Sequence, residues 1–191
     1  MKTICIAFLL IVLEGCNQNQ NKLEGSNKMI PPDCFIERTD SALKNINGIW
    51  FYRNQNATGY ILEKKKVAVI SKVPVIDGRE NGVAYGWFES GEIRYERSYK
   101  NGNRDGLHKI WYKNGQLANN MFYIDDKLEG EQKSYFESGN RWQILNYKHG
   151  YEDGKQKTWD DSGKVINNFT VKNGKLYGVI GRYDCMSVMQ K

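Results

Sequence analysis

The chain is poor in the residues and motifs that carry catalysis. Of its 191 residues only two are histidine. His108 lies in a strand-like run and His149 at a turn, which fits packed or exposed spectators better than acid-base or metal-binding groups. There is no His-Glu-x-x-His, no Gly-x-Ser-x-Gly, no P-loop and no Cys-x-x-Cys. The acid pairs Asp125-Asp126, Glu152-Asp153 and Asp160-Asp161 sit near turns without the spacing of an EF-hand. An enzyme is therefore not expected, nor a cofactor, a metal or a small-molecule substrate. Concentrated charge is missing too: the net charge of +6 is spread thinly, and Lys64-Lys65-Lys66 is the one cationic run. Three lysines in a β-like stretch read as a solvated strand edge rather than a nucleic-acid site.

Long apolar runs are also absent. The ten residues Ile4 to Leu13 are too few to span a bilayer as a helix. Preceded by Lys2 and followed by Glu14-Gly15-Cys16, they have the form of a secretory signal over residues 1–15. Leu13-Glu14-Gly15-Cys16 resembles the bacterial lipobox, and the resemblance implies that Cys16 is acylated and becomes the mature N-terminus. The chain is then exported and lipid-anchored to a bacterial membrane, in the outer membrane or periplasm. Cysteine is scarce: beyond the signal and Cys16 only Cys34 and Cys185 remain, as one disulfide or two separate thiols.

Residues 16–33 are polar, rich in Asn and Gln and closed by Pro31-Pro32, which describes lipid attachment followed by a flexible tether. Residues 34–81 are β-like but irregular, with candidate strands at 49–52 and 67–70 and a short helical turn from Ser41 to Lys44. Pro74 suggests an edge or strand end.

From residue 82 to 185 the chain repeats every 24 residues, leaving a tail at 186–191. Gly82, Gly106, Gly130, Gly154 and Gly178 keep that interval, as do Trp87, Trp111, Tyr135, Trp159 and Tyr183. Gly91, Gly115, Gly139 and Gly163 form a third series, and Gly102, Asp126, Gly150 and Gly174 a fourth. Such a period marks a repeat architecture. Within a unit an aromatic, β-forming run meets a turn such as Asn114-Gly115, and a second run ends at the next turn, so each unit is a β-hairpin. Residues 34–81 then read as a cap over the first open edge of the repeat array, because terminal units of stacked repeats must protect an edge. The fold class is all-β: an elongated single-sheet meander of tandem hairpins behind an irregular cap.

The spacing from Gly106 through Trp111, Gly115, Tyr123, Asp126 and Gly130 resembles the MORN-repeat variant, a family that includes YwqK-type antitoxins. The resemblance implies consecutive hairpins in one sheet, and it carries no catalytic residue. Taken with the export signal, the expected function is a lipid-anchored, non-enzymatic binding module of the cell envelope whose partner is an envelope protein; the family label adds, as an alternative, a toxin to be neutralised. Binding of anionic lipid headgroups or glycan is a third reading. The aromatic column led by Trp87 is expected to hold the sheet. The adjacent Phe88, Tyr112 and Phe136, which give way to Asp160 and Asp184, are expected to form an exposed partner-binding strip on the opposite face.

Overall fold

A computed structural model describes residues 34–179 of the protein. Among the described residues there is no helix, and eighteen strands succeed one another along the chain. The cap contributes β1 (Phe35–Glu37), β2 (Leu43–Ile46), β3 (Ile49–Tyr52), β4 (Gln55–Asn56), β5 (Gly59–Lys65), β6 (Ala68–Ile76) and β7 (Arg79–Glu80). The first two hairpins are β8 (Gly82–Trp87) with β9 (Ile93–Lys100), and β10 (Asn103–Trp111) with β11 (Leu117–Ile124). The third is β12 (Lys127–Leu128) and β13 (Gly130–Tyr135) with β14 (Arg141–Lys148). The fourth is β15 (Tyr151–Glu152) and β16 (Gly154–Trp159) with β17 (Val165–Lys172), and β18 (Lys175–Val179) begins a fifth unit.

These strands form one long sheet in the order β1-β5-β6-β8-β9-β10-β11-β13-β14-β16-β17-β18, with β7, β12 and β15 as short pieces beside β6, β11 and β14. At ~4.8 Å between neighbours its edges lie on the order of 50 Å apart along the sheet. The meander of tandem hairpins is thus as the sequence pattern requires.

The cap does more than close an edge. Its β5 and β6 extend the sheet, with β6 pairing to β8 and β1 joining β5 in parallel. The separate sheet β2-β3-β4 lies over one face, where Trp50 and Ala57 bury Ile36, Ile61, Val73, Val75 and Ala84. We call this the inner face. Ser41 and Ala42 form a turn into strand β2, not the helical turn expected there. Asp40 accounts for it, its Oδ1 accepting from the Ala42 backbone N–H at 2.9 Å. Lys64 and Lys65 do lie where β5 runs past the end of β1, and they pair with Glu37 and Glu89.

Two turn types alternate in the array. Between units the chain reverses in two residues that both have positive φ, such as Asn101-Gly102 (52° and 90°) and Asp125-Asp126 (45° and 64°). These are type I′ turns, whose twist matches the flanking strands. Within a unit the loop is longer: the Gly115 N–H donates to the Tyr112 carbonyl at 3.0 Å, and Gly115 itself has φ of 85°. Residues 91, 139 and 163 occupy the same place. Gly82, Gly130 and Gly154 begin strands as the repeat phase requires, whereas Gly106 falls inside β10.

Each junction between units is interrupted. Tyr147 pairs with Glu152, but pairing resumes only at Ile144 with Lys157, so Asn146 faces no regular partner. The buried Gln156 fills the gap: its Oε1 accepts from the Asn146 N–H at 3.0 Å and its Nε2 donates to the Asn146 carbonyl at 2.8 Å. One unit earlier Gln132 Oε1 accepts from the Phe122 N–H at 2.7 Å, and before that His108 Nε2 donates to the Ser98 carbonyl at 2.8 Å. In the first unit the equivalent residue is Ala84, and the position corresponding to Ser98, Phe122 and Asn146 is Pro74. Pro74 has no N–H to satisfy, and its carbonyl accepts from Asn81. Pro74 is therefore an interior position of β6, not a strand end, tolerated because its missing donor points into the interruption.

Candidate binding face

Alternation along the strands sorts the side chains onto two faces. Inner-face positions include Ala84, His108, Gln132 and Gln156, all buried, and next to them a polar row that crosses the sheet. In that row Ser134 Oγ lies 2.8 Å from Asn119 Oδ1, Gln143 Nε2 donates to Ser134 Oγ at 3.3 Å, and Asn167 Nδ2 donates to Thr158 Oγ1 at 2.9 Å. Tyr99, His108 and Tyr123 pack beside it as tilted rings, with centroids 5.4 and 4.8 Å apart. A register shift at each hairpin end bends the strands and raises their twist, so inner-face side chains bury one another without a second layer. Burial pushes the His108 imidazole below the ordinary histidine range, although its bond to Ser98 opposes the shift. Its chemistry is structural.

The outer face carries a different set. Trp87, Trp111, Tyr135 and Trp159 stand here, opposite Ile93, Leu117, Arg141 and Val165 on the returning strands. The Trp column is therefore not the buried column of the sheet, contrary to expectation; each of its rings is half-buried. Tyr85 stacks near Trp87 with centroids 6.1 Å apart and an interplanar angle of 22°. Lys157 Nζ sits 5.0 Å from the Trp159 ring, and Lys72 Nζ 4.0 Å from the Tyr60 ring.

Over the first two hairpins this face carries exposed apolar side chains among polar and charged ones, Ser98 standing opposite Val83 and Glu96 opposite Lys109. Val83, Leu107, Phe122 and Ile124 are 39%, 47%, 38% and 47% exposed, and Leu107 stands directly opposite Phe122. Over the next two the same positions turn polar and basic, with Lys133, Arg141, Lys155 and Lys157 around Glu131. A shallow hollow of about 440 Å³ lies there, lined by Glu131, Arg141, Ile144, Lys157 and Trp159 among others.

Four segments of this chain match the MORN repeat variant. They are residues 80–101, 104–125, 128–149 and 152–173, so the matched units run from one tight turn to the next. Comparison with curated proteins gives no match. The array is accordingly a run of tandem hairpins whose units match the MORN repeat variant.

Phe88, Tyr112 and Phe136, expected to form a partner-binding strip, lie where the strands meet the within-unit turns. Each closes the tip of its hairpin, its N–H donating to the carbonyl of Glu92, Gln116 or Asn140, and all three rings are half-buried. Tyr112 also donates its hydroxyl to the Tyr135 carbonyl at 3.0 Å, tying one MORN unit to the next. The change to Asp160 reflects turn chemistry: Asp160 Oδ1 accepts from the Ser162 N–H, the Lys164 N–H and the Ser162 hydroxyl at 3.0, 3.0 and 2.6 Å. These bonds hold its carboxyl below the usual range. Asp184, Cys16 and Cys185 lie outside the described residues. Cys34 is buried at the entry to β1 and forms a disulfide whose other half also lies outside them. β1 and β18 occupy opposite edges of the sheet.

Sequence patterning pointed to the repeat but missed the buried polar column. Its signal is nonetheless present: Ala84, His108, Gln132 and Gln156 share the 24-residue interval, and three of them can hydrogen-bond a backbone group.

Proposed function

We propose that the protein is a non-enzymatic binding module, anchored to a bacterial membrane through acylated Cys16, that holds a macromolecular partner on the outer face of its MORN array. The observation that carries this reading is the exposed Leu107–Phe122 pair, with Val83 and Ile124 exposed on the same face, beside a basic, aromatic surface. Exposed apolar side chains rimmed by charge are the kind of surface that partners occupy. The inner face offers no such surface where the cap covers it and is consumed elsewhere by the polar row. A protein partner of the cell envelope fits best, because an apolar patch of branched and aromatic side chains suits side-chain packing. Toxin neutralisation is the same binding mode with a different partner, and an adjacent toxin gene would favour it.

Mass spectrometry of the mature protein is expected to find acylated Cys16 as its first residue; an unmodified N-terminus elsewhere would remove the anchor from the proposal. Captured envelope partners are expected to be lost from the L107S/F122S double variant at nearly unchanged melting temperature, since both side chains are exposed. Tyr112→Phe, altered at a hairpin tip, is expected to retain them. Equal capture by the double variant and the parent protein would place binding on another surface.

A further inference from the structure

Each between-unit turn is tied to the unit before it, with one exception. The Gly102 N–H donates to the Glu80 carbonyl at 2.8 Å, the Asp126 N–H to the Arg104 carbonyl at 2.9 Å and the Gly150 N–H to the Leu128 carbonyl at 2.9 Å. Donors and acceptors both advance by 24 residues, so Gly174 and Glu152 come next in phase. Among the described residues, however, the Gly174 N–H has no acceptor and the Asn173 side chain makes no hydrogen bond. Both residues are exposed, and no atom lies within 4 Å of the place a Cβ on Gly174 would take. Asn-Gly occurs five times in the chain, and the other four pairs are held. The Gly48 N–H donates to Asn45 Oδ1 at 3.1 Å, and Asn81 Nδ2 donates to Asn101 Oδ1 at 3.2 Å. Asn114 Nδ2 donates to the Glu137 carbonyl, its Oδ1 accepts from the Gln116 N–H, and the Gly115 N–H donates to the Tyr112 carbonyl.

The structure assigns Asn173-Gly174 as a self-modification site, at which the chain deamidates ahead of its other Asn-Gly pairs. The Gly174 backbone nitrogen gives its proton to hydroxide and bonds to Asn173 Cγ. The Cγ–Nδ2 bond then breaks, and Nδ2 takes a proton from water and leaves as ammonia. Water opens the resulting cyclic imide. Cleavage between the Gly174 nitrogen and Cγ gives aspartate, and cleavage between that nitrogen and the former Asn173 carbonyl carbon gives isoaspartate. Water is the only reactant consumed, and nothing is oxidised or reduced. Glycine favours the attack because no Cβ crowds its nitrogen. A hydrogen bond on that N–H opposes it twice, by retaining the proton that must leave and by fixing the peptide plane that must turn toward Cγ. Opening of a turn is the local fluctuation that such chemistry needs, and it is easiest where the turn is exposed and untied. Either product places a carboxylate beside Lys172 and Lys175, which stand opposite each other. Isoaspartate also adds a methylene to a two-residue turn whose twist sets the pairing of its strands, so β18 loosens from β17 as the protein ages.

The test incubates the full-length protein in mildly alkaline buffer, native and in parallel in concentrated urea. Samples taken over time are mapped by peptide mass spectrometry with a fragmentation that separates aspartate from isoaspartate. In the native protein Asn173 is expected to convert about tenfold faster than Asn47, Asn81, Asn101 or Asn114, the scale on which one net hydrogen bond holds a turn closed. In urea the five rates should converge, because the dipeptide is the same and the fold no longer distinguishes them. Native-state amide exchange gives an independent reading, with the Gly174 N–H expected to exchange faster than those of Gly102 and Gly150. Conversion that begins at another Asn-Gly pair, or that keeps the same ranking in urea, would overturn the proposal. So would a Gly174 N–H protected as well as Gly102 and Gly150, or early ammonia release that Asn173→Gln leaves unchanged.

Discussion

At the scale of single residues, the inner face asks each repeat for a side chain that can satisfy an interrupted backbone. His108 meets that need with one hydrogen bond and Gln132 and Gln156 with more, while Ala84 suffices where Pro74 has no N–H. His108→Gln is accordingly expected to preserve stability, whereas His108→Ala should cost about 1–3 kcal/mol in chemical denaturation by leaving the Ser98 carbonyl without this donor. The imidazole also gives the parent protein a pH dependence. Burial holds the folded-state pKa of His108 below the unfolded value of about 6.5. Between those values the unfolded chain binds more protons, so stability declines as pH falls from about 6.5 through the folded pKa, and is complete above about 6.5. His108→Gln should flatten that decline; an unchanged pH profile would show that another group is responsible.

At the scale of the hairpin, glycine does two different jobs. Gly115 has φ of 85° with open space around its missing Cβ, so a side chain there meets strain rather than a neighbour. Gly115→Val is expected to cost about 1–2 kcal/mol. Gly86 has an ordinary φ, but a Cβ on it would lie 2.1 Å from a ring atom of Tyr95, whose hydroxyl lies 3.0 Å from Ser71 Oγ. Gly86→Ala must therefore displace the ring and break one of the contacts between the cap and the first hairpin. Urea unfolding should rank Gly86→Ala below Gly115→Val in stability, and the reverse order would count against close packing at this junction. The Asp125-Asp126 turn shows a third solution. Asp126 adopts a positive φ without glycine, and its Oδ1 binds the Arg104 backbone N–H and guanidinium at 3.0 and 2.9 Å, which offsets the strain.

At the scale of the whole molecule, the array is quasi-one-dimensional: beyond the cap, hairpins contact mainly their neighbours. Removing residues 127–150 joins one tight turn to its equivalent and keeps every interface type. The shortened protein is expected to remain folded, with a maximum dimension in small-angle scattering smaller by about 10 Å. Loss of the fold would show that the array depends on a particular unit, with the cap alone unable to nucleate it. The cap holds the apolar cluster around Ile61 and Val75, whereas the repeats rely on polar ladders and half-buried rings. Substitution of Val75 should therefore affect the N-terminal end of the rod most.

The sequence by itself determined the repeat, its phase, the turn positions and the all-β class, because the 24-residue interval and the glycines are local signals that tertiary context does not alter. It could not decide which face is buried. One bulge per hairpin at its tip, and another interruption between units, set the relation of each strand to the next. Since side chains alternate, a one-residue shift exchanges the faces. Only the register shows that Trp111 points away from the cap, that Tyr112 closes a hairpin tip and that His108 is buried in a backbone gap.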